Sequence, residues 1–406
     1  MGTRQPARGN GAQAQGRQEA TAPASVFLSA GEASGDWAGA GLAKALQRRA
    51  AIDLVGIGGQ RMARAGVRLI ADSSTWGAIG VFEAALKIPR VWRALRTARV
   101  QLAATPPAAL VLIDCGAFNM PLARTARDAG LPTLYYLPPG SWSQRPRSLE
   151  VRDAVDAIAT PFPWSRDLLA GGRARVEWVG HPVVETARPS IGRDEAWERY
   201  RLDRGRPLVA AAPGSRDQEI RYVLPVLAEA AARLGQQFPG IQFLVPVAAS
   251  VAREDVEAVL RRSGVTATLL EGMDYDALQL AGAAAVCSGT ATLEFACLGV
   301  PMVVVYRASR ATTFQYRVLR GVLGRQRFAA MPNIIAGREV VRELLGSAAK
   351  PAVVAAEVAR LLSDDEAHSR MRSDLELAAA TLGGPGASER TAEMVMDLVS
   401  ANGGKA

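Results

Sequence analysis

A chain of 406 residues with 49% apolar and 21% charged residues is long enough for two domains, each with its own core. A formal charge of +9 carried mostly by arginine points to an anionic partner: a nucleotide, a nucleic acid or an anionic lipid surface. Aromatics at 6% with no aromatic–basic repeat make nucleic acid the weakest of the three. Two histidines and three cysteines without metal spacing argue against a His/Cys metal centre. The cysteines fit a reducing compartment, and no later stretch reaches the roughly 18 apolar residues of a membrane span.

Residues 1–24 are rich in Gly, Gln, Ala and Arg and lack the apolar run of a signal peptide, so they read as a disordered leader. Ser25 to Ser29 is a short strand. It runs into the small-residue loop Ala30-Gly31-Glu32-Ala33-Ser34-Gly35-Asp36 and a helix over Trp37 to Arg48. Strand, loop and helix in that order open a Rossmann-like half. The loop is not the dinucleotide fingerprint: its Glu32 and Asp36 would repel a pyrophosphate and suit sugar hydroxyls or amides. Leu54 to Gly59 is a second strand and glycine turn.

Between Gly77 and Arg99, the apolar Val81, Phe82, Leu86 and Trp92 are interspersed with Lys87, Arg90, Arg93 and Arg96. Such a segment suits a membrane interface, and equally a helix packed on the sheet with a basic outer face. Ala108 to Ile113 is a buried strand with Asp114 at its carboxyl end, where open α/β sheets bind ligands. A carboxylate there can act as a general base, or cap the helix Met120 to Ala129. Leu131–Leu137, Asp156–Thr160 and Val176–Val179 are further strands, and Gly180-His181-Pro182 is the exit from this half.

A polar stretch at 186–206 reads as the linker. Leu208 to Ala212 is then a strand, followed by Pro213-Gly214-Ser215-Arg216 and a helix over Gln218 to Leu234. Arg216 at that turn suits a pyrophosphate, because guanidinium binds phosphate through paired donors, and Glu219 is placed to cap the turn. Gln242–Pro246, Thr266–Leu270 and Ala283–Val286 are further strands. The last leads into Ser288-Gly289-Thr290-Ala291-Thr292-Leu293-Glu294, a tight polar turn opening a helix that Gly299 and Pro301 stop. Free N–H groups at such a start suit a phosphate, and Glu294 can accept from ribose hydroxyls. The competing reading is an ordinary βα turn with a capping Thr. Pro301 to Tyr306 is the next strand, and 364–406 reads as a helical tail.

The fold class is therefore α/β, two Rossmann-like domains at 25–185 and 207–363 facing across a cleft. This is the GT-B architecture of glycosyltransferases; non-hydrolysing sugar-nucleotide epimerases fit the same signals.

The motifs also come in a recognisable series: Ala30 to Asp36, Gly58-Gly59 with Arg61-Met62, Gly80 to Glu83, Ile113-Asp114 with Phe118-Asn119, and Gly180-His181-Pro182. Pro213 to Arg216 with Glu219, Ser288 to Glu294, Pro301 to Val304 with Tyr306-Arg307, and Pro332-Asn333 with Ala336 to Glu339 complete it. In these the chain resembles the lipid-A-disaccharide synthase family from about Ser29 to Leu345. The resemblance implies an inverting, UDP-sugar-dependent GT-B glycosyltransferase. It would transfer 2,3-diacylglucosamine from its UDP derivative to a lipid acceptor, 2,3-diacylglucosamine 1-phosphate, forming a β-1,6 linkage. It further implies a cytoplasmic enzyme, peripheral on the inner face of the cytoplasmic membrane, with a homodimer suggested and no metal or other cofactor.

On that reading Asp114 is the base, and Gly214, Ser215, Arg216, Ser288, Gly289, Thr290 and Glu294 hold the nucleotide. Glu32, Ser34, Asp36, Asn119, Trp142 and Arg145 face the acceptor or sugar, and Val81, Phe82, Leu86 and Trp92 meet the membrane or acyl chains. The chain departs from the family pattern on the acceptor side. Ala117 stands where the pattern has a second Asp, Gly116 where it has Pro, Gln144 where it has Trp, and Tyr135 where it has His. Away from that side, Glu185 replaces an Asp after His-Pro. A changed acceptor, or a weakly active nucleotide-sugar or lipid-binding protein, are the alternatives these departures open.

Overall fold

The computed structural model describes residues 23–74, 76, 81–141, 146–309 and 327–403, with the side chains of 81–87, 146–148 and 402–403 outside that description. Trp142 and Arg145, the side chains of Val81, Phe82 and Leu86, and the leader at 1–22 thus lie outside the described residues.

The first half carries seven parallel strands: β1 (Ser25–Ala30), β2 (Asp53–Gly58), β3 (Arg68–Asp72), β4 (Ala109–Ile113), β5 (Thr133–Tyr136), β6 (Ala157–Thr160) and β7 (Arg175–Trp178). Their order is β3-β2-β1-β4-β5-β6-β7. The second half carries β8 (Leu208–Ala212), β9 (Gln242–Val247), β10 (Thr268–Glu271), β11 (Ala283–Cys287), β12 (Met302–Tyr306) and β13 (Arg342–Leu345). These are also parallel, in the order β10-β9-β8-β11-β12-β13.

Central strands such as Ala109 to Ile113 are apolar throughout because a parallel sheet is covered on both faces. Alternate side chains serve the two faces. Val26, Leu28, Val111 and Ile113 pack with the helix Ala33–Arg49, while Phe27, Leu110 and Leu112 pack with the helices Val81–Ala104 and Gly116–Asp128. Strand order reverses once in each sheet, between β1 and β4 and between β8 and β11. Ligands of open α/β sheets bind where the order reverses, and all the loops of interest leave from these four strands.

Three features differ from the sequence reading. The helix expected over Gln218 to Leu234 is two helices, Asp217–Tyr222 and Leu224–Gln237. Pro225, at the start of the second, has no N–H for a continuing helix and disfavours helical backbone before it. The edge strands β3 and β13 are short and begin with an exposed arginine, so they carry no apolar run to announce them.

The tail at 364–406 is not one unit. The helix Asp365–Ala380 stays with the second half, where Met302 N donates to Met371 Sδ at 3.2 Å. The helix Ala387–Gly403 crosses back and lays Ala392, Met394 and Val395 on the core of the first sheet, covering β4, β5 and β6.

The chain therefore passes twice between the halves, and the two passages are tied together. Glu185 Oε1 accepts from Gly386 N at 3.1 Å and Ser388 N at 3.0 Å, capping the last helix. Arg390 Nε donates to Val179 O at 2.8 Å, and His181 N to Leu382 O at 2.9 Å. Glu185 thus does structural work at the crossing. Phe162, Val183, Ala187, Leu293 and Leu382 form a small apolar cluster there. Burial pushes the His181 imidazole down to about 3, and its Nδ1 accepts from Val183 N, so it is neutral at working pH.

The helix Val81–Ala104 takes the second of its two sequence readings, packed on the sheet with a basic outer face. Ala94, Ala98 and Leu102 are buried against the sheet, while Ile88 and Trp92 are each 59% exposed beside the exposed Arg90, Arg93 and Arg96.

Candidate active site

Strand β4 ends in two non-glycine residues with left-handed backbone, Asp114 (φ +51°) and Cys115 (φ +40°). Each costs of order 1–2 kcal/mol and persists only where the surroundings impose it. Here the buried Asn119 imposes it. Its Nδ2 donates to Ser29 O, Ile113 O and Asp114 O at 2.9–3.2 Å, and its Oδ1 accepts from Ser29 Oγ at 2.7 Å. Tyr135 Oη donates to Asp114 O at 2.7 Å from β5. Gly31 lets the loop after β1 lie against this turn, since a Cβ there would stand 2.3 Å from Cys115 Sγ.

The Asp114 side chain does not cap the following helix, whose N-cap is Cys115 with no side-chain bond. Its Oδ2 instead accepts from Ser34 Oγ at 2.7 Å. Burial pushes the Asp114 carboxyl above the ordinary carboxylate range. The Ser34 hydroxyl opposes this, and the nearby Glu32 carboxylate adds to it while Arg216 pulls it down.

In the second sheet, Gly214 has φ +106°, and a Cβ there would come within 2.1 Å of Glu219 Oε2. Only glycine allows the turn to fold over that buried carboxylate. Glu219 Oε2 accepts from Ser215 N at 2.7 Å and Arg216 N at 3.1 Å, and Glu219 Oε1 meets Arg216 Nη1 at 2.8 Å. The other guanidinium nitrogen, Nη2, crosses the cleft to Glu32 Oε2 at 2.7 Å. Burial disfavours the charged guanidinium, but the Glu219 and Glu32 carboxylates outweigh it and hold Arg216 charged.

After β11, Gly289 is exposed at the turn. Thr290 makes no side-chain cap, and Thr292 Oγ1 donates to Gly289 O at 2.8 Å. Ser288 Oγ contacts Ala329 O at 3.4 Å. Glu294 Oε1 accepts from Tyr275 Oη at 2.7 Å. Burial pushes the Glu294 carboxyl up, and Tyr275 and the Arg61 guanidinium from the first half oppose the shift.

The structure thus gathers Glu32, Ser34, Asp114 and Arg216 in one cluster across the cleft. It gives two other candidates different work. Asp36, assigned to sugar contact, is buried with its carboxylate taken up by Gly59 N, Arg61 N and Met62 N at 2.7–3.1 Å. It starts the short helix Gln60–Arg64, because that helix's free N–H groups need an acceptor. Asn119 is fully buried and saturated by the bonds above, so it positions Asp114 and does not face a sugar.

Tyr275 reaches the site without having been singled out by the sequence, and Tyr135 and Arg61, named there only within motifs, gain their part through partners distant along the chain. Ala117 is exposed just after Asp114 and presents no second carboxylate. Among the described residues no group of three or more His, Cys, Asp or Glu side chains is placed to hold a metal, and Cys115, Cys287 and Cys297 are free thiols. A separate cavity of about 450 Å³ lies at the start of β13, between Arg338, Arg342, Arg360 and Arg370. Asp374, Glu357 and Glu366 pair with these arginines.

Comparison with known proteins follows the same lines. A family profile described as lipid-A-disaccharide synthetase matches residues 26–397. The lipid-A-disaccharide synthase of Geobacter sulfurreducens is 39% identical over 376 residues, which is 92% of this chain and 97% of that protein. Among solved structures, UDP-GlcNAc 2-epimerase from Neisseria meningitidis bound to UDP-GlcNAc aligns with a TM-score of 0.62 at 12% identity, covering 92% of this chain and all (100%) of that one. The glycotransferase of kitacinnamycin aligns with a TM-score of 0.57 at 15% identity, covering 93% and 99%. These two show a shared fold.

Proposed function

The chain belongs to the lipid-A-disaccharide synthetase family and is a UDP-sugar-dependent glycosyltransferase. We infer that Asp114 is the base of its transfer reaction. The enzyme joins 2,3-diacylglucosamine, delivered as its UDP derivative, to 2,3-diacylglucosamine 1-phosphate and releases UDP. The observation that carries the role of Asp114 is its place: a half-buried carboxylate, oriented by Ser34, at the switch point of the first sheet and facing Arg216 of the second.

In the reaction so read, Asp114 takes the proton of the acceptor 6-hydroxyl. The oxygen attacks the anomeric carbon from the face opposite UDP, and the bond to the diphosphate breaks with its electron pair leaving on UDP. A carboxyl raised above its ordinary range is a stronger base than a solvated one. Arg216 and the backbone N–H groups of Ser288 to Thr290 hold the charge that develops on the diphosphate, so the reading requires no cofactor. Glu294 accepts from the ribose hydroxyls.

No helix among the described residues is long and apolar enough to cross a membrane. We place the enzyme on the inner face of the cytoplasmic membrane, with the exposed Ile88, Trp92 and neighbouring arginines supporting a lipid-surface contact.

The deciding experiment measures UDP release from UDP-2,3-diacylglucosamine, with and without the acceptor, in the native protein and in Asp114→Asn. Acceptor-dependent release that drops by about 10²–10⁴-fold in the variant is expected. Release that persists in Asp114→Asn removes Asp114 as the base.

A further inference from the structure

Arg216 has both outer nitrogens engaged: Nη1 by Glu219 at 2.8 Å and Nη2 by Glu32 at 2.7 Å. A diphosphate that takes paired bonds from this guanidinium has to displace one of them. The two carboxylates are not equivalent. The Glu219 side chain is 4% exposed and also holds Ser215 N and Arg216 N, so its removal would orphan three donors. The Glu32 side chain is 31% exposed, belongs to the loop after β1 on the opposite sheet, and caps no helix. Glu32 is the partner that yields.

We propose that Glu32 is an exchangeable partner of Arg216: the diphosphate of the donor takes its place, and the released carboxylate turns to the acceptor beside Asp114. The proposal rests on the reading of Arg216 as the diphosphate residue. It makes Glu32 a positioning residue that reports donor occupancy to the acceptor side, so the sugar acceptor is organised after the nucleotide arrives. The electrostatics agree with this order. The charge of Arg216 lowers the basicity of Asp114 and that of Glu32 raises it. Neutralising Arg216 with diphosphate and freeing Glu32 therefore strengthens the base once the leaving group is in place.

A competitor that must be displaced weakens apparent affinity. Calorimetric titration with UDP is the test, on the native chain, Glu32→Gln and Glu32→Ala. A partly exposed ion pair of this kind corresponds to roughly two- to fivefold, so both variants bind UDP tighter by about that factor. Acceptor-dependent turnover falls in both, and UDP no longer strengthens acceptor binding. A purely structural role would not tighten nucleotide binding. UDP affinity unchanged or weakened in both variants overturns the exchange. Arg216→Ala is measured alongside: an affinity for UDP equal to the native value removes Arg216 from the nucleotide site. Normal loss there with no tightening at Glu32 removes the exchange alone.

Discussion

Ser34 Oγ donates to Asp114 Oδ2 at 2.7 Å, joining the loop after β1 to the end of β4 across the point where strand order reverses. The hydroxyl favours the ionised carboxylate against a burial that favours the neutral one. Ser34→Ala removes that support, so the Asp114 carboxyl rises further. The acidic limb of the kcat/KM profile moves to higher pH, and the plateau above it falls by about tenfold as orientation is lost. A pH–rate profile of the variant checks this, and an unmoved acidic limb would falsify the role of Ser34.

The same carboxylate is a burden on the fold. Its folded-state pKa lies above the unfolded value, so the stability it contributes is present below the unfolded pKa and is lost as pH rises through the folded one. Wherever Asp114 is ionised it therefore costs stability, and Asp114→Asn raises Tm by about 1–3 °C there while turnover drops as in the UDP-release assay. Melting curves at pH 7 and pH 4 test it: the gain should shrink at the lower pH. A variant that melts earlier than the native chain at pH 7 contradicts this sign.

Asn119 holds two successive left-handed residues in place through three carbonyl contacts and one hydroxyl. Asn119→Ala removes these contacts, leaving Asp114 O only the Tyr135 hydroxyl, and is expected to cost about 2–4 kcal/mol in denaturant unfolding. Turnover falls with it, because Asp114 is no longer fixed. UDP affinity stays within about threefold, since Arg216 and Glu294 stand on the other sheet. A weakening of UDP binding as large as the loss of turnover would show that the damage is general.

Much of this was legible in the sequence, because parallel strands buried on both faces are apolar runs and their loops carry the polar motifs. β1, β4, β8 and β11, with Asp114, Arg216 and Glu294 at or just after their ends, follow from that pattern alone. What was hidden depends on partners far apart in the chain. Asp36 reads as a free carboxylate in a glycine loop until Gly59 is seen beside it, 23 residues on. Tyr275 is an unremarked residue until its hydroxyl meets Glu294, and the return of Ala387–Gly403 to the first sheet has no local signal. Glu32 was legible as polar, but not as an ion pair with a residue 184 positions away.

Glu294 accepts from Tyr275 Oη at 2.7 Å while burial pushes its carboxyl up. On the proposed reading of Glu294 as the ribose acceptor, the hydroxyls bind the ionised form, so UDP affinity declines as pH falls through the Glu294 pKa. Tyr275→Phe removes a bond that lowers this pKa, and the decline then begins at higher pH. Glu294→Ala weakens UDP by about tenfold or more while inorganic pyrophosphate is unaffected, because the proposed contact is to the nucleoside alone. Titrations of UDP between pH 5 and 8 would decide; identical curves for the native chain and Tyr275→Phe leave Glu294 outside the ribose site.

The helix Val81–Ala104 keeps Ala94, Ala98 and Leu102 in the core and leaves Ile88 and Trp92 exposed among Arg90, Arg93 and Arg96. On the proposed reading, this face binds an anionic bilayer by two separable contributions: the indole enters the headgroup boundary, and each arginine adds about 1 kcal/mol near the surface. Trp92→Glu is expected to weaken binding to phosphatidylcholine–phosphatidylglycerol vesicles by roughly tenfold. Arg93→Gln with Arg96→Gln weakens it by a similar factor, and only at low salt, because screening removes that share in the native chain as well. Neither change touches a core side chain, so melting temperatures and turnover of detergent-dispersed substrate remain native. Vesicle sedimentation at 0.05 and 0.5 M salt separates the two contributions. Equal binding by the native chain and Trp92→Glu would mean that this helix face meets something other than lipid.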